Sequence, residues 1–255
     1  MPGKSLHNVM KTCRIIILLA ASIVVAAMFL PHILSHVEAA GDILFRVEFN
    51  SLDTWEPFSF TKVNRQSAYR IVEIEGKTAL EAQSDSSASA IISKERYNVS
   101  EYPTLRWRWR VENTYGKSSG GAIEMDDYPI RIYILFKFNP KKASFGERIS
   151  YGVARTLSGG RYPPHSSICF VWSNGPFSGG EIYDSPYTSK ARIIPLRSPA
   201  DGLSEWHDEE VNVLDYYRRA FGAEPPIVAR IAVMNDSDDT KEKSRSYLDF
   251  IEISK

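Results

Sequence analysis

The sequence predicts an all-β fold: an antiparallel two-sheet, jelly-roll-like sandwich with one short helix at about 208–221. Three features predict it. Many short segments alternate apolar and polar residues, the period-two pattern that sends successive side chains to opposite faces of a strand. Gly, Pro, Asn, Asp and Ser punctuate these segments at short intervals, as chain reversals require. A helical period follows residue 205 and ends at Gly222 and Pro225-Pro226.

The first 39 residues are set apart from the fold. Lys4, Lys11 and Arg14 precede an apolar stretch from Ile15 to Leu30, Pro31 breaks it, and Val37-Glu38-Ala39 closes the segment. This order is that of a secretory signal peptide. An uncleaved membrane anchor is the rival reading, with an apolar run just short of the roughly 18 to 20 residues that span a bilayer. The expected organisation is a signal peptide, 1–39, and a single β-sandwich domain, 40–255, in an exported protein of the periplasm or cell envelope. A membrane would be met only through the N-terminal segment, if it is uncleaved.

Removal of that segment takes Lys4, Lys11 and Arg14 from 31 basic residues and Glu38 from 31 acidic ones, leaving an excess of two negative charges. That balance argues against nucleic acid as a partner, which selects a basic excess. The domain keeps one cysteine, Cys169 in "SICFVW", so it has no internal disulfide framework. Its length suffices to bury a core without one.

Taken in order, the predicted strands are 43–49, 69–76, 78–84, 89–95, 104–111, 129–138, 167–173, 191–197, 227–234 and 247–253, each an alternating or apolar run between turn formers. "EGKT" (75–78) suits a tight hairpin. In the helix, Asp208 is the expected cap, and Glu209 and Glu210 suit the positive N-terminal end. Val211, Leu214, Tyr217 and Phe221 share a face, Arg218 and Arg219 suit the C-terminal end, and Gly222 stops it. In 104–111, Leu105, Trp107, Trp109 and Val111 take one side and Arg106, Arg108 and Arg110 the other. In 129–138, Ile130, Ile132, Ile134, Phe136 and Phe138 oppose Arg131, Tyr133, Leu135 and Lys137. If these two strands pair, Arg131 and Tyr133 join the arginine ladder on an outer face.

"VEFNSLDTWEPFSF", "YPTLRWRWRV" and "SYLDFIEI" have a cadence similar to that of jelly-roll, galactose-binding-like carbohydrate modules. More closely, "LRWRWRV", "DDYPIRIYILF", "FVWSN", "DYYRRAFGAEPP" and "IAVMNDSDDT" followed by "YLDFI" occur in the order of the bacterial exported family called domain of unknown function 3047. That resemblance spans about residues 44 to 253. It implies an extracytoplasmic β-sandwich with no assigned biochemistry.

Two sets of residues carry candidate chemistry. Asn235, Asp236, Asp238 and Asp239 form an acidic loop, and Asp126-Asp127 precede the strand at 129–138. Their hard oxygens suit Ca²⁺, the one cofactor the chain suggests, but the glycine and distal glutamate of a helix-loop-helix calcium site are missing. Should strands 129–138 and 227–234 be antiparallel neighbours, both acidic groups lie at one end of the sandwich. Metal binding, pairing with arginines such as Arg131, and plain turn chemistry all remain open. The second set lies in loops rich in Gly, Pro and Ser. Tyr162, His165, Phe177, Tyr183 and Tyr187 could stack on sugar rings, and Asn174 and Asp184 could hydrogen-bond them.

No residue is assigned a catalytic role. After residue 40 the histidines are His165 and His207, too few for a multi-histidine zinc site. H-E-x-x-H and phosphate-cradling glycine motifs are absent from the sequence. The expected function is noncatalytic binding of a glycan or other envelope component. The alternatives are an envelope polysaccharide-acting enzyme using the acidic-loop carboxylates, or a structural envelope partner.

Overall fold

The structure is a computed structural model, which describes residues 42–116, 126–141, 164–177 and 180–255. The leader, Tyr162 and most of the loop at 155–167 lie outside them. The described strands are β1 (Ile43–Val47), β2 (Trp55–Ser59), β3 (Ala68–Ile74), β4 (Lys77–Asp85), β5 (Ala88–Ser93), β6 (Tyr97–Asn98), β7 (Thr104–Val111), β8 (Arg131–Phe136), β9 (Ser166–Trp172), β10 (Tyr183–Ser185), β11 (Thr188–Arg197), β12 (His207–Asn212), β13 (Val228–Asp236) and β14 (Lys243–Ser254). Among the described residues one α-helix, α1 (Val213–Phe221), is present, and it follows β12 directly. Among the described residues no helix is long and apolar enough to cross a membrane.

Two sheets result. The first runs β12-β7-β14-β4-β3, with β1 on the far half of β14; the second runs β10-β11-β9-β8-β13-β5-β2, with β6 beside β13. Every pairing is antiparallel except that of β11 with β9. This is the two-sheet sandwich that the alternation predicts. Local turn chemistry also holds: Ile74 faces Lys77 across Glu75 (φ 55°) and Gly76 (φ 77°), the left-handed pair that a two-residue hairpin needs.

The core lies between the sheets. Leu105, Trp107, Trp109 and Val111 of β7 meet Ile132, Ile134 and Phe136 of β8 and Ile168, Phe170 and Trp172 of β9. Trp107, Trp109 and Trp172 are fully buried. Trp109 packs edge-on against both other indoles, with ring centroids at 5.3 and 5.7 Å. Each buried aromatic of this kind contributes about 3–5 kcal/mol against truncation to alanine.

Three expectations are corrected. First, β7 and β8 do not pair. They belong to different sheets and face one another across the core. Arg131 and Tyr133 therefore leave the ladder of Arg106, Arg108 and Arg110, and point away from the core on the opposite side of the sandwich. The ladder is neutralised by its own neighbours: Arg106 meets Glu210 at 2.7 Å, and Arg110 meets Glu112 at 2.7 Å and Glu75 at 2.9 Å. Such half-exposed pairs each contribute about 0–1 kcal/mol.

Second, the helix begins at 213 rather than 208. His207 to Asn212 form an edge strand on β7. Glu209 turns inward to accept the Trp109 indole N–H (3.1 Å) and Arg197 Nε (2.6 Å), while Asp208 and Glu210 turn outward to Arg108 and Arg106. Acidic residues that suit a helix start thus serve a strand, because their cationic partners lie on a neighbouring one. The cap is Asn212, whose side chain accepts the Asp215 N–H at 3.0 Å, and Gly222 (φ 62°) ends the helix as expected. Val213 and Tyr217 bury its inner face in the core.

Third, the short strands β2, β6, β10 and β12 lacked a readable alternation, and edge pairing alone defines them.

Candidate functional site

The second sheet is apolar on both faces. With Ile132, Ile134, Ile168, Phe170, Ile231 and Val233 turned into the core, parity sends their neighbours outward. There Cys169, Val171 and Ile193 pack with Tyr128, Tyr133 and Tyr183. Beside them Ala88, Ala90 and Met234 pack with Phe58, Phe60, Val63 and again Tyr133. An antiparallel sheet commonly leaves one face wet; this outer face instead carries a second aromatic layer.

A buried charge cluster closes one end of that layer. β8 and β13 are antiparallel neighbours with Arg131 opposite Met234, so the segment entering β8 and the loop leaving β13 meet. Arg131, 1% exposed, donates Nε to Asp236 Oδ1 (2.9 Å) and Nη2 to Asp236 Oδ2. Its Nη1 donates to Asp126 Oδ1 (3.1 Å) and to the Tyr133 hydroxyl (3.3 Å). The Tyr128 ring lies 4.8 Å from the guanidinium carbon, a cation–π contact. Asp127 accepts the backbone N–H of Asp239 (3.1 Å) and of Thr240, pinning the loop that follows β13.

One guanidinium thus serves two carboxylates, Asp126 and Asp236. Burial pushes the Asp236 carboxyl up from the usual 3.8 to about 8, against the pull of Arg131 and with Asp127 and Asp126 adding to the push. Asp238 is also raised, first by burial and then by Asp127 and Asp239. Arg131 is held firmly protonated despite its burial, because Asp126 and Asp236 face it. Carboxylate oxygens of Asp127, Asp236 and Asp238 all lie within 4.8 Å of one another.

Asn235 anchors the cluster from beneath. Its Nδ2 donates to the carbonyls of Ala82 (3.1 Å) and Pro129 (2.6 Å), and its Oδ1 accepts from Ser244 Oγ (3.1 Å). One fully buried amide thereby ties the first sheet to the segment entering β8. Asn174 has a similar place. It accepts the Tyr115 N–H (3.0 Å) and donates to the Asp127 carbonyl (2.7 Å).

The two predicted sets converge in part. Tyr187, at the β10–β11 hairpin, is 71% exposed, yet its hydroxyl reaches Asp239 Oδ2 at 3.4 Å. Partial burial of that hydroxyl, with Asp126 and Asp239 nearby, pushes it up to about 12. Tyr183 lies on the outer layer and donates to Glu181. Asp184 is exposed and pairs with Arg192 at 3.1 Å, and Phe177 is half-buried. His165 sits at the other end of the sheet, where its N–H meets the Phe136 carbonyl and its ring stacks on Phe138. Five residues along β8 separate Phe136 from Arg131, about 17 Å at the usual rise.

Tyr128, Phe58 and Phe60 were missed as members of the layer. "DDYPIR" places Tyr128 directly after the acidic pair, which was the available signal. Phe58 lies within, and Phe60 just after, a strand too short to announce itself.

Fold and site together define a two-sheet, jelly-roll-like β-sandwich whose second sheet carries an outer aromatic layer ending in a carboxylate-rich rim. The chain belongs to the family described as protein of unknown function (DUF3047), matched over residues 53–252. No curated protein matches it. Among solved structures, it is similar to the family 11 carbohydrate-binding module from Clostridium thermocellum in complex with a β-1,3-1,4-mixed-linked tetrasaccharide. There the identity is 8% and the TM-score 0.39, over 84% of this chain and 95% of that one. The family 30 carbohydrate-binding module of a Clostridium thermocellum cellulosomal cellulase matches at 8% identity and a TM-score of 0.40, over 79% and 91%. The family GH12 endoglucanase 3 of Trichoderma harzianum matches at 8% and 0.37, over 84% and 97%.

Proposed function

We propose that this protein is an exported, noncatalytic β-sandwich that binds a glycan of the cell envelope through the outer face of its second sheet. The carrying observation is the aromatic layer of Tyr128, Tyr133 and Tyr183, with the exposed Tyr187 ring at its rim. A flat ring presented to solvent beside hydrogen-bonding carboxylates suits the apolar face and hydroxyl edge of a sugar. Export rests on the basic, apolar and small-residue order of residues 1–39. A noncatalytic role is supported by the carboxylates themselves. Both oxygens of Asp236 are bonded by Arg131, and Asp127 is bonded by backbone N–H groups, so neither stands ready as acid or base.

Affinity electrophoresis of residues 40–255 through gels containing envelope and plant polysaccharides tests this reading. At least one glycan should retard the protein, and Tyr187→Ala should weaken retention about tenfold, the loss expected for one stacking platform, without changing the melting temperature. No retardation by any glycan, or unchanged retention of the variant, overturns it.

A second reading rests on the three clustered carboxylates. Asp127, Asp236 and Asp238 would offer Ca²⁺ an oxygen set, in competition with Arg131 for Asp236. Binding should therefore be weak: millimolar Ca²⁺ raises the melting temperature over that in chelator, and Asp238→Asn abolishes the rise. Coincident melts discard this reading.

A further inference from the structure

We infer that a second site, on the outer face of the first sheet, takes a neutral sugar between Arg108 and Asp249, with the Trp206 ring as its platform. This face lies on the opposite side of the sandwich from the aromatic layer, and its site does not depend on that layer binding a glycan. Here β7 and β14 run side by side, and their register skips one residue between Leu248 and Phe250. Asp249 is the extra residue, a bulge of the kind that re-aims a side chain. Its carboxylate is 13% exposed, and Arg108 Nη1 lies 3.7 Å from its Oδ2. Arg108 Nε stands 3.7 Å from Asp208 Oδ1. Both separations are too long for a hydrogen bond. Among the described residues the Arg108 guanidinium donates no hydrogen bond, and its Nε is shut from solvent without an acceptor. The Asp249 carboxylate accepts none either.

The neighbouring arginines are engaged. Arg106 bonds Glu210, and Arg110 bonds Glu112 and Glu75. Arg46 lies 3.6 Å over the Phe250 ring and bonds Glu252. Arg108 and Asp249 are thus left facing one another short of partners, and polar groups so placed cost free energy until a partner arrives. An oxygen about 2.9 Å from the nitrogen and about 2.7 Å from the carboxylate, ordinary hydrogen-bond lengths, bridges the 3.7 Å gap. That oxygen must accept from the guanidinium and donate to the carboxylate, and a hydroxyl does both. A carboxylate or phosphate has no proton for Asp249, and an ammonium has no lone pair for Arg108. The Trp206 ring centre lies 6.0 Å from the Arg108 guanidinium carbon, and Glu75 Oε2 holds its indole N–H at 3.1 Å. A fixed, half-exposed ring beside a pair that selects hydroxyls fits the apolar face and polar edge of a sugar.

Acrylamide quenching of tryptophan emission in the purified protein tests this, because Trp206 is half-buried and the other four tryptophans are buried. At least one of cellohexaose, mannohexaose and xylohexaose should shield Trp206, giving a saturable loss of quenching. Galacturonate and glucosamine hexamers should bind about tenfold more weakly than that hexaose. Arg108→Gln and Asp249→Asn should each weaken it about tenfold, the loss of one charge-assisted hydrogen bond, whereas Tyr187→Ala should leave it unchanged. Trp206→Ala, followed by calorimetry, should also weaken it about tenfold, and decides the matter if a charge variant fails to fold. Three outcomes overturn the inference: no shielding by any neutral hexaose, a charged hexamer that binds as tightly, or full affinity in Arg108→Gln and Asp249→Asn, which would mean that water alone bridges the pair. Shielding lost in Tyr187→Ala also overturns it, placing the sugar on the second sheet and leaving the earlier reading intact.

Discussion

Replacing Arg131 with alanine is expected to cost about 3–5 kcal/mol of stability, the loss seen when one partner of a buried ion pair is removed and the other is left uncompensated. Asp126 and Asp236 would both lose their guanidinium inside the protein, where each is less than a tenth exposed. The cost should depend on pH. A carboxyl whose folded value lies above its unfolded one holds extra protons in the folded state, so its contribution to stability falls as pH rises between those values. For Asp236 that window runs from 3.8 to about 8, and loss of Arg131 removes the strongest pull on the folded value, leaving the Tyr128 N–H and extending the window upward. The difference between wild type and Arg131→Ala should therefore stay level from about pH 4 to pH 7 and grow as pH rises past about 8, where Asp236 ionises in the wild type but keeps its proton in the variant. Arg131→Met combined with Asp236→Leu should recover part of the loss, because both charges of the tightest pair are gone. Urea melts across this pH range provide the measurement. A flat difference would show that Arg131 acts through packing and not charge.

Asn235→Ala is expected to be comparably damaging, although Asn235 bears no charge. The substitution removes three buried hydrogen bonds, to the carbonyls of Ala82 and Pro129 and from the Ser244 hydroxyl, although Pro129 keeps Ser246 Oγ and Ser244 keeps Ser84 and Tyr115. At about 0.5–1.5 kcal/mol for each buried hydrogen bond lost, the total should reach about 3 kcal/mol. The urea midpoint should fall without a change in slope, the mark of a stability loss with an unaltered denatured state. Asn235→Asp preserves shape but replaces a double donor with an acceptor facing two carbonyls, next to Asp236. It should be worse than alanine. An aspartate variant as stable as the wild type would mean that the amide hydrogen bonds do not hold the two sheets together here.

These residues show how legible the molecule was from its sequence. Parity along β7 and β8 was readable, and it placed Trp107, Trp109, Ile132 and Ile134 in the core and Arg131 and Tyr133 outside it. Adjacency of β8 and β13 was entertained only as a condition; once met, it brought Asp126, Asp127 and Asp236 to one end. Asn235 was grouped with the acidic loop as a ligand, whereas its amide is consumed by Ala82, Pro129 and Ser244. Asn174, a candidate sugar contact, is likewise occupied by Tyr115 and Asp127. In neither case does the local sequence reveal a partner that lies many residues away.

The chain alone determined what depends on near neighbours: which side of each long strand is apolar, the left-handed turn at Glu75-Gly76 and the stop at Gly222. Those outcomes follow from the two-residue period of a strand and from local backbone sterics. Tertiary structure alone decided which sheet receives each strand, whether 207–212 extends or coils, and where Arg131 finds its carboxylates. Each of these is set by partners distant in sequence, whose pairing energy outweighs local preference. The same long-range pairing set Tyr187 beside Asp239 at the rim of the aromatic layer.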